Sequence, residues 1–210
     1  MHDKRGADIV CWSHLRWRST FQRPQQLMTR WAQRQRVLFI EEPVIDEDPD
    51  TNPRLVIRRE AGVVVVEPHL PAGLGAQRCA TETKALITSL CRAERIDTPI
   101  AWFCAPIFAG VGDAVGDVAR ELNATILVYD CLDEGVLHED ERELLNEADV
   151  VFVAAHAVHE VKRTQHGNVH LVPDGVDSAS WDQRFAEMRH VVDDALRAWP
   201  LQHLLQSLGA

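Results

Sequence analysis

The chain has 210 residues and a formal net charge of −10, with 46% hydrophobic and 26% charged residues. This is ordinary globular composition, and the length suits one large domain or two small ones. The acidity argues against a nucleic-acid partner, since neutralising phosphates needs a basic face. No apolar run approaches the ~20 residues of a membrane-spanning helix.

The amino terminus, MHDKRGAD, enters an apolar run without the long hydrophobic stretch of a signal peptide, and a cytoplasmic protein is expected. That first run, DIVCWS at 8–13, reads as a strand. The segment after it, HLRWRSTFQRPQQ at 14–26, crowds arginines, a histidine and two aromatics at the strand's carboxyl end, as a surface built to hold something would. Pro24 suits the first turn of a helix, where its missing N–H costs nothing, and Leu27 and Trp31 continue that helix. Strands are expected at RVLFIEE 36–42, LVIRRE 55–60 and GVVVVEP 62–68, the last two joined by Ala61-Gly62 as a hairpin. DEDPD at 46–50 reads as an exposed connection.

Further on, Leu86, Ile87 and Leu90 mark a helix over 81–94, PIAWFCAP at 99–106 a strand, and Val111, Val115 and Val118 a helix over 107–122. ATILVYDC at 124–131, a helix over 138–148, DVVFVAA at 149–155 and NVHLVPD at 168–174 continue the alternation. Continuous rather than alternating apolar runs are strands covered on both faces. The fold class is therefore α/β, a single Rossmann-like, doubly wound and mostly parallel sheet. Ser180 and Gln183 have capping-box spacing, and Trp181, Phe185, Met188, Val192, Leu196 and Trp199 recur every three or four residues, so a carboxy-terminal amphipathic helix is expected to pack back on the sheet. The tail WPLQHLLQSLGA has two readings: it covers bare surface, or it makes a dimer contact.

Several function classes are disfavoured. The first turn lacks G-x-G-x-x-G and no G-x-x-x-x-G-K-[ST] occurs, so neither a classical dehydrogenase nor a phosphate-loop ATPase is indicated. Five widely spaced cysteines read as reduced structural thiols, and ten histidines include no H-E-x-x-H or zinc-type cluster. Neither a metal nor a cofactor is expected. In open α/β sheets ligands bind beyond the carboxyl ends of the strands, so SHLRW, EEPVID, CAPIF, DCLDE and AAHAVHE should line one rim. There Arg16 and Arg23 offer forked donors for phosphate or carboxylate, while Trp17 and Phe21 serve either a ligand or the packing of the loop. Asp130, Asp133 and Glu134 could hold hydroxyls or accept a proton; Asp133 and Glu134 equally suit the start of a helix. Glu41 and Glu42 are expected in structural salt bridges with the first-loop arginines.

Together, IVCWSHLRW with FQRPQQLM, VLFIEEP, ILVYDCLDE, ADVVFVAAHAVHEVKR and NVHLVPDGVD resemble the amino-terminal half of the retaining glycosyltransferases often called family 4, which have two Rossmann-like domains in the B-type fold. The resemblance covers about residues 8–177 and implies a glycosyltransferase amino-terminal domain there, with residues 178–210 as the terminal helix and tail. It implies transfer of a sugar from a nucleotide-sugar to an acceptor, without a protein nucleophile. It makes Ser13, His14, Arg16, Trp17, Phe21 and Arg23 part of the loop that meets the acceptor and donor phosphates, and His156 a rim residue that touches the sugar or the backbone. Only about 30 residues follow Asp177, so the donor-binding domain of such enzymes is expected to be missing. Two functions stay open: an acceptor-side half served by a donor-domain partner, or a non-catalytic interaction module, with a homodimer as one form. Membrane contact is expected to be peripheral at most.

Overall fold

The computed structural model describes residues 6–105, 115–132 and 139–207. At its centre lies β1 (Ile9–Trp12), a fully buried IVCW run flanked in parallel by β2 (Val37–Ile40) and β6 (Ile100–Phe103). Beyond β6 follow β7 (Ile126–Cys131), β8 (Val150–Val153) and β9 (Val169–Leu171), all parallel. Beyond β2 lies β5 (Val63–Leu70), which pairs antiparallel with β4 (Arg54–Glu60) as the expected hairpin and parallel with the two-residue β3 (Val44–Ile45). Ala61 at φ 49° and Gly62 at φ 84° make the hairpin turn, and only glycine takes the second value without strain.

The strand order β3-β5-β2-β1-β6-β7-β8-β9 makes the sheet doubly wound. The chain leaves β1 through α1 (Arg23–Ala32) toward β2, and returns from β5 through α2 (Ala76–Ala93) to β6 on the opposite side of β1. Right-handed crossovers running in opposite directions put their helices on opposite faces. One apolar layer accordingly holds Ile87 and Cys91 of α2 with residues from α3 (Val115–Glu121), α4 (Glu139–Glu147) and α5 (His156–Lys162). The other holds Leu27, Met28 and Trp31 of α1 with Trp181, Met188 and Val192 of α6 (Ser178–Ser207).

The carboxy-terminal helix thus packs back on the sheet beside α1. Phe185 meets Trp31 edge-on, with ring centroids 5.0 Å apart, and Arg30 bonds Asp182 at 2.8 Å. Its start differs from the expected Ser180–Gln183 box. Asp177 caps it instead: the carboxylate accepts the Ser180 N–H at 2.8 Å while the Ser180 hydroxyl accepts the N–H groups of Val176 and Asp177. The reciprocal pair satisfies several of the orphan donors a helix start leaves, and the Ser180 and Ala179 N–H groups hold the Asp177 carboxyl below its usual range. The tail side chains from 201 onward lie outside the described residues.

Candidate functional site

The loop between β1 and α1 is pinned from below. Ser13, fully buried, donates its N–H to Ile40 at 3.0 Å, extending the parallel ladder, and its hydroxyl accepts the Leu15 N–H at 3.1 Å. Trp17 is buried against Phe39, edge-on at 5.0 Å, and donates its N–H to Glu41 at 2.6 Å. Gln25 accepts the Gln22 N–H and donates to the Arg16 carbonyl, tying the helix start to the loop. Phe21 is exposed, and the buried Nδ1 of His14 has no partner among the described residues.

Arg16 and Arg23, alike in sequence, part company here. Arg16 keeps 38% of its side chain exposed and faces Glu67 at 3.4 Å and Glu41 at 3.6 Å. These contacts are longer than the about 2.8 Å of a committed charge pair, which leaves donors for an anion. Of the expected pairs with the first-loop arginines, Arg16–Glu41 forms, and Glu41, 1% exposed, also receives Arg58 of β4 at 3.1 Å. For Arg58 burial opposes the charge, yet Glu41 and Glu67 outweigh it and its pKa ends above the ordinary value.

Arg23 instead turns inward, 3% exposed. Its Nε donates to Asp130 at 2.8 Å, Nη1 to the Val172 carbonyl at 2.7 Å and to Asp174 at 2.9 Å, and Nη2 lies 3.7 Å from the Met188 sulfur. Burial opposes this charge too, but Asp130 and Asp174 raise its pKa overall. Asp130 is fully buried within β7, not at its open end, and burial pushes its carboxyl up against the opposing pull of Arg23. The two therefore meet each other and not the solvent. His156 stands exposed at the first turn of α5. Asp133 and Glu134 lie outside the described residues.

A second feature escaped the sequence reading. Beyond the ends of β1 and β6, where the winding of the sheet reverses, a cavity of about 300 Å³ opens between α2 and the strand ends, touched by Trp12, Phe103, Glu42 and Thr83. Such a reversal is where open α/β sheets receive ligands. The signal available in sequence was Thr83 itself: with Ile87 and Cys91 it continues the buried stripe of α2, a hydroxyl where an apolar side chain is usual.

The fold is similar to those of several solved structures. Sucrose-phosphate synthase from Thermosynechococcus elongatus superposes with a TM-score of 0.57 at 14% identity over 82% of this chain. The chain has the fold of one Rossmann-like half of the GT-B architecture. The same GT-B architecture appears in trehalose-6-phosphate synthase from E. coli, bound with UDP-2-fluoro glucose (TM-score 0.54, 9% identity, 81% of this chain), and in the catalytic domain of starch synthase IV from Arabidopsis thaliana, bound to ADP and acarbose (0.54, 11%, 83%). The chain spans about half of each enzyme, 49%, 49% and 52% of their lengths. A shorter T. elongatus sucrose-phosphate synthase chain is covered to 96% by 88% of this one, again with TM-score 0.57 and 14% identity. No protein-family model and no curated protein sequence matches the chain.

Among the described residues no group of three or more His, Cys, Asp or Glu side chains is placed to hold a metal ion. Nor is any described helix long and apolar enough to cross a membrane.

Proposed function

We propose that residues 8–177 form the acceptor-side domain of a glycosyltransferase that moves a sugar from a nucleotide-sugar to a small-molecule acceptor, with 178–210 as its terminal helix and tail. The observation that carries this reading is the cavity at the winding reversal of a GT-B half-fold, with Arg16 on the same strand-end rim. In such a transfer the domain orients the acceptor, and Arg16 supplies a cation toward the leaving phosphates, which is where preorganised charge lowers the barrier. The donor-binding groups come from a second Rossmann-like domain, as a partner or as further chain. Five cysteine thiols, none of them in a disulfide, suit a reducing cytoplasmic compartment.

Calorimetric titration of the protein with UDP-glucose, ADP-glucose and the free nucleotides, beside Arg16→Ala, tests the reading. The expected result is binding weakened about tenfold or more by the substitution, the size of one lost charge-assisted contact. Flat titrations from a folded protein would refute a donor contact by this domain. They would favour the alternative, a non-catalytic interaction module, for which the inward commitment of Arg23 and Asp130 already speaks.

A further inference from the structure

The sheet ends in an open edge. β5 has β2 and β3 on one side and β4 on the other, and among the described residues no strand pairs with the outer side of β4. A row of unpaired backbone groups is a template for another strand, and proteins commonly blunt it with a very short strand, a bulge, a proline or a lysine. β4 has none of these: RLVIRRE runs through 7 residues in unbroken register with β5. Ile57, its middle residue, is 47% exposed.

The hairpin decides which groups face outward. Glu60 and Val63 flank the turn Ala61-Gly62 and so form a hydrogen-bonded pair, and bonded and non-bonded pairs alternate along an antiparallel ladder. Arg54, Val56, Arg58 and Glu60 therefore turn N–H and C=O toward β5, while Leu55, Ile57 and Arg59 turn theirs outward. A second copy of β4 meets this edge in a register that its own charges select. Antiparallel pairing about a two-fold axis at Ile57 overlaps the whole strand, sets Ile57 opposite Ile57, Leu55 opposite the stem of Arg59, and Arg54 opposite Glu60. The smallest slip that keeps outward groups facing outward groups sets arginine against arginine: Arg54 opposite Arg58 in one direction, Arg58 opposite Arg58 in the other. In the register centred on Ile57, Arg58 is already turned to Glu41 at 3.1 Å and Glu67 at 3.4 Å in its own sheet. Arg54 and Glu60 stay partly exposed beside their own partners, Asp46 for the one and Arg18 and Arg58 for the other, so each can take a second opposite charge.

We propose that the protein self-associates through β4, two copies joining edge to edge about a two-fold axis at Ile57 into one continuous sheet. Leu55, Ile57 and Arg59 of each copy exchange their N–H and C=O groups with Arg59, Ile57 and Leu55 of the other. The contact uses the same patch on both copies and closes at the dimer. It does not depend on the sugar-transfer reading.

Sedimentation equilibrium over micromolar concentrations tests the proposal, and the unaltered chain should fit a monomer–dimer equilibrium. Arg54→Glu and Glu60→Arg each place like charges opposite one another at both ends of the contact, and each should weaken the dimer about tenfold. The two together exchange the charges and should restore the dimer to within about threefold of the original. Neither a dimer made through the tail nor a general loss of stability gives that rescue. Ile57→Pro removes an outward N–H and leaves the bonds to β5 in place, so it should yield a monomer with the far-UV circular dichroism of the folded chain. A protein that is monomeric throughout overturns the proposal. So does a dimer that survives Ile57→Pro, or a loss from the single charge changes that combining them does not reverse; this last comparison decides the matter even where the proline unfolds the chain. None of these outcomes touches the nucleotide-sugar titration, so the two readings fail separately.

Discussion

Replacing Arg23 by methionine should be among the most damaging single changes in this domain. Methionine fills much of the same volume, so the loss is chiefly of charge. Asp130, 0% exposed and 2.8 Å from the Arg23 guanidinium, would be left as a buried carboxylate without its cation. Breaking a buried pair in this way costs about 3–5 kcal/mol, a large share of the about 5–15 kcal/mol that a domain has in total. The exposed partner Asp174 adds little, because its charge is hydrated in either state.

The pH dependence follows from the direction of the Asp130 shift. Burial already holds this carboxyl above its ordinary value with Arg23 present, and without Arg23 it rises further. The folded variant then binds a proton that the unfolded chain does not hold, so its stability falls as pH rises from the unfolded toward the folded value. Urea unfolding followed by far-UV circular dichroism should show the full deficit at pH 7 and a smaller one at pH 5. Adding Asp130→Leu to Arg23→Met should restore at least half of the loss, since a buried pair replaced by apolar groups is often near neutral. A loss below about 1 kcal/mol at pH 7, or one that grows toward pH 5, would refute the reasoning.

Lys162 and Glu141 form a second buried pair at 2.5 Å, with the Tyr129 hydroxyl donating to the same carboxylate at 2.9 Å; Lys162→Met should cost about 3 kcal/mol in the same unfolding assay. A side chain at Gly175 would place its Cβ 2.6 Å from the Trp181 ring and 2.7 Å from the Trp181 backbone nitrogen. Gly175→Ala should therefore lower stability by about 1–3 kcal/mol and loosen the start of α6, seen as faster amide exchange over 178–188. Burial pushes the thiols of Cys91 and Cys131 up to about 11, so exhaustive alkylation of the native protein at pH 8 should label Cys79 and spare both until urea is added.

The sheet was legible because buried parallel strands announce themselves as unbroken β-branched runs: IVCW, VLFI and VVFV each sit within a segment read as a strand. Val44–Ile45 was not, since two residues become a strand only by finding β5 beside them. Helix α2 was expected over 81–94 and begins at Ala76, because Gly75 and not a polar cap precedes it. At the site, composition identified Arg23 and Asp130 as unusual but not as each other's partners, 107 residues apart. Their pairing depends on where β7 lands beside α1, which no local pattern encodes. Arg16 and Arg23 look interchangeable in HLRWRSTFQRPQQ; helix phase alone turns the second inward.

Arg23 also sets an order of events during synthesis. It leaves the ribosome early, yet its partners Asp130, Val172, Asp174 and Met188 lie 107 to 165 residues downstream. At ~5–20 residues per second, roughly 60 residues separate the emergence of Asp130 from that of Met188, a wait of about 3–12 s. During that interval β1, β2 and β5 can assemble, but the cation beside them stays hydrated and the face awaiting α6 stays open. A chaperone that shields this face until α6 arrives would have its longest opportunity here, and a nascent chain arrested before residue 172 would stall with the amino-terminal sheet formed and its clasp unfastened.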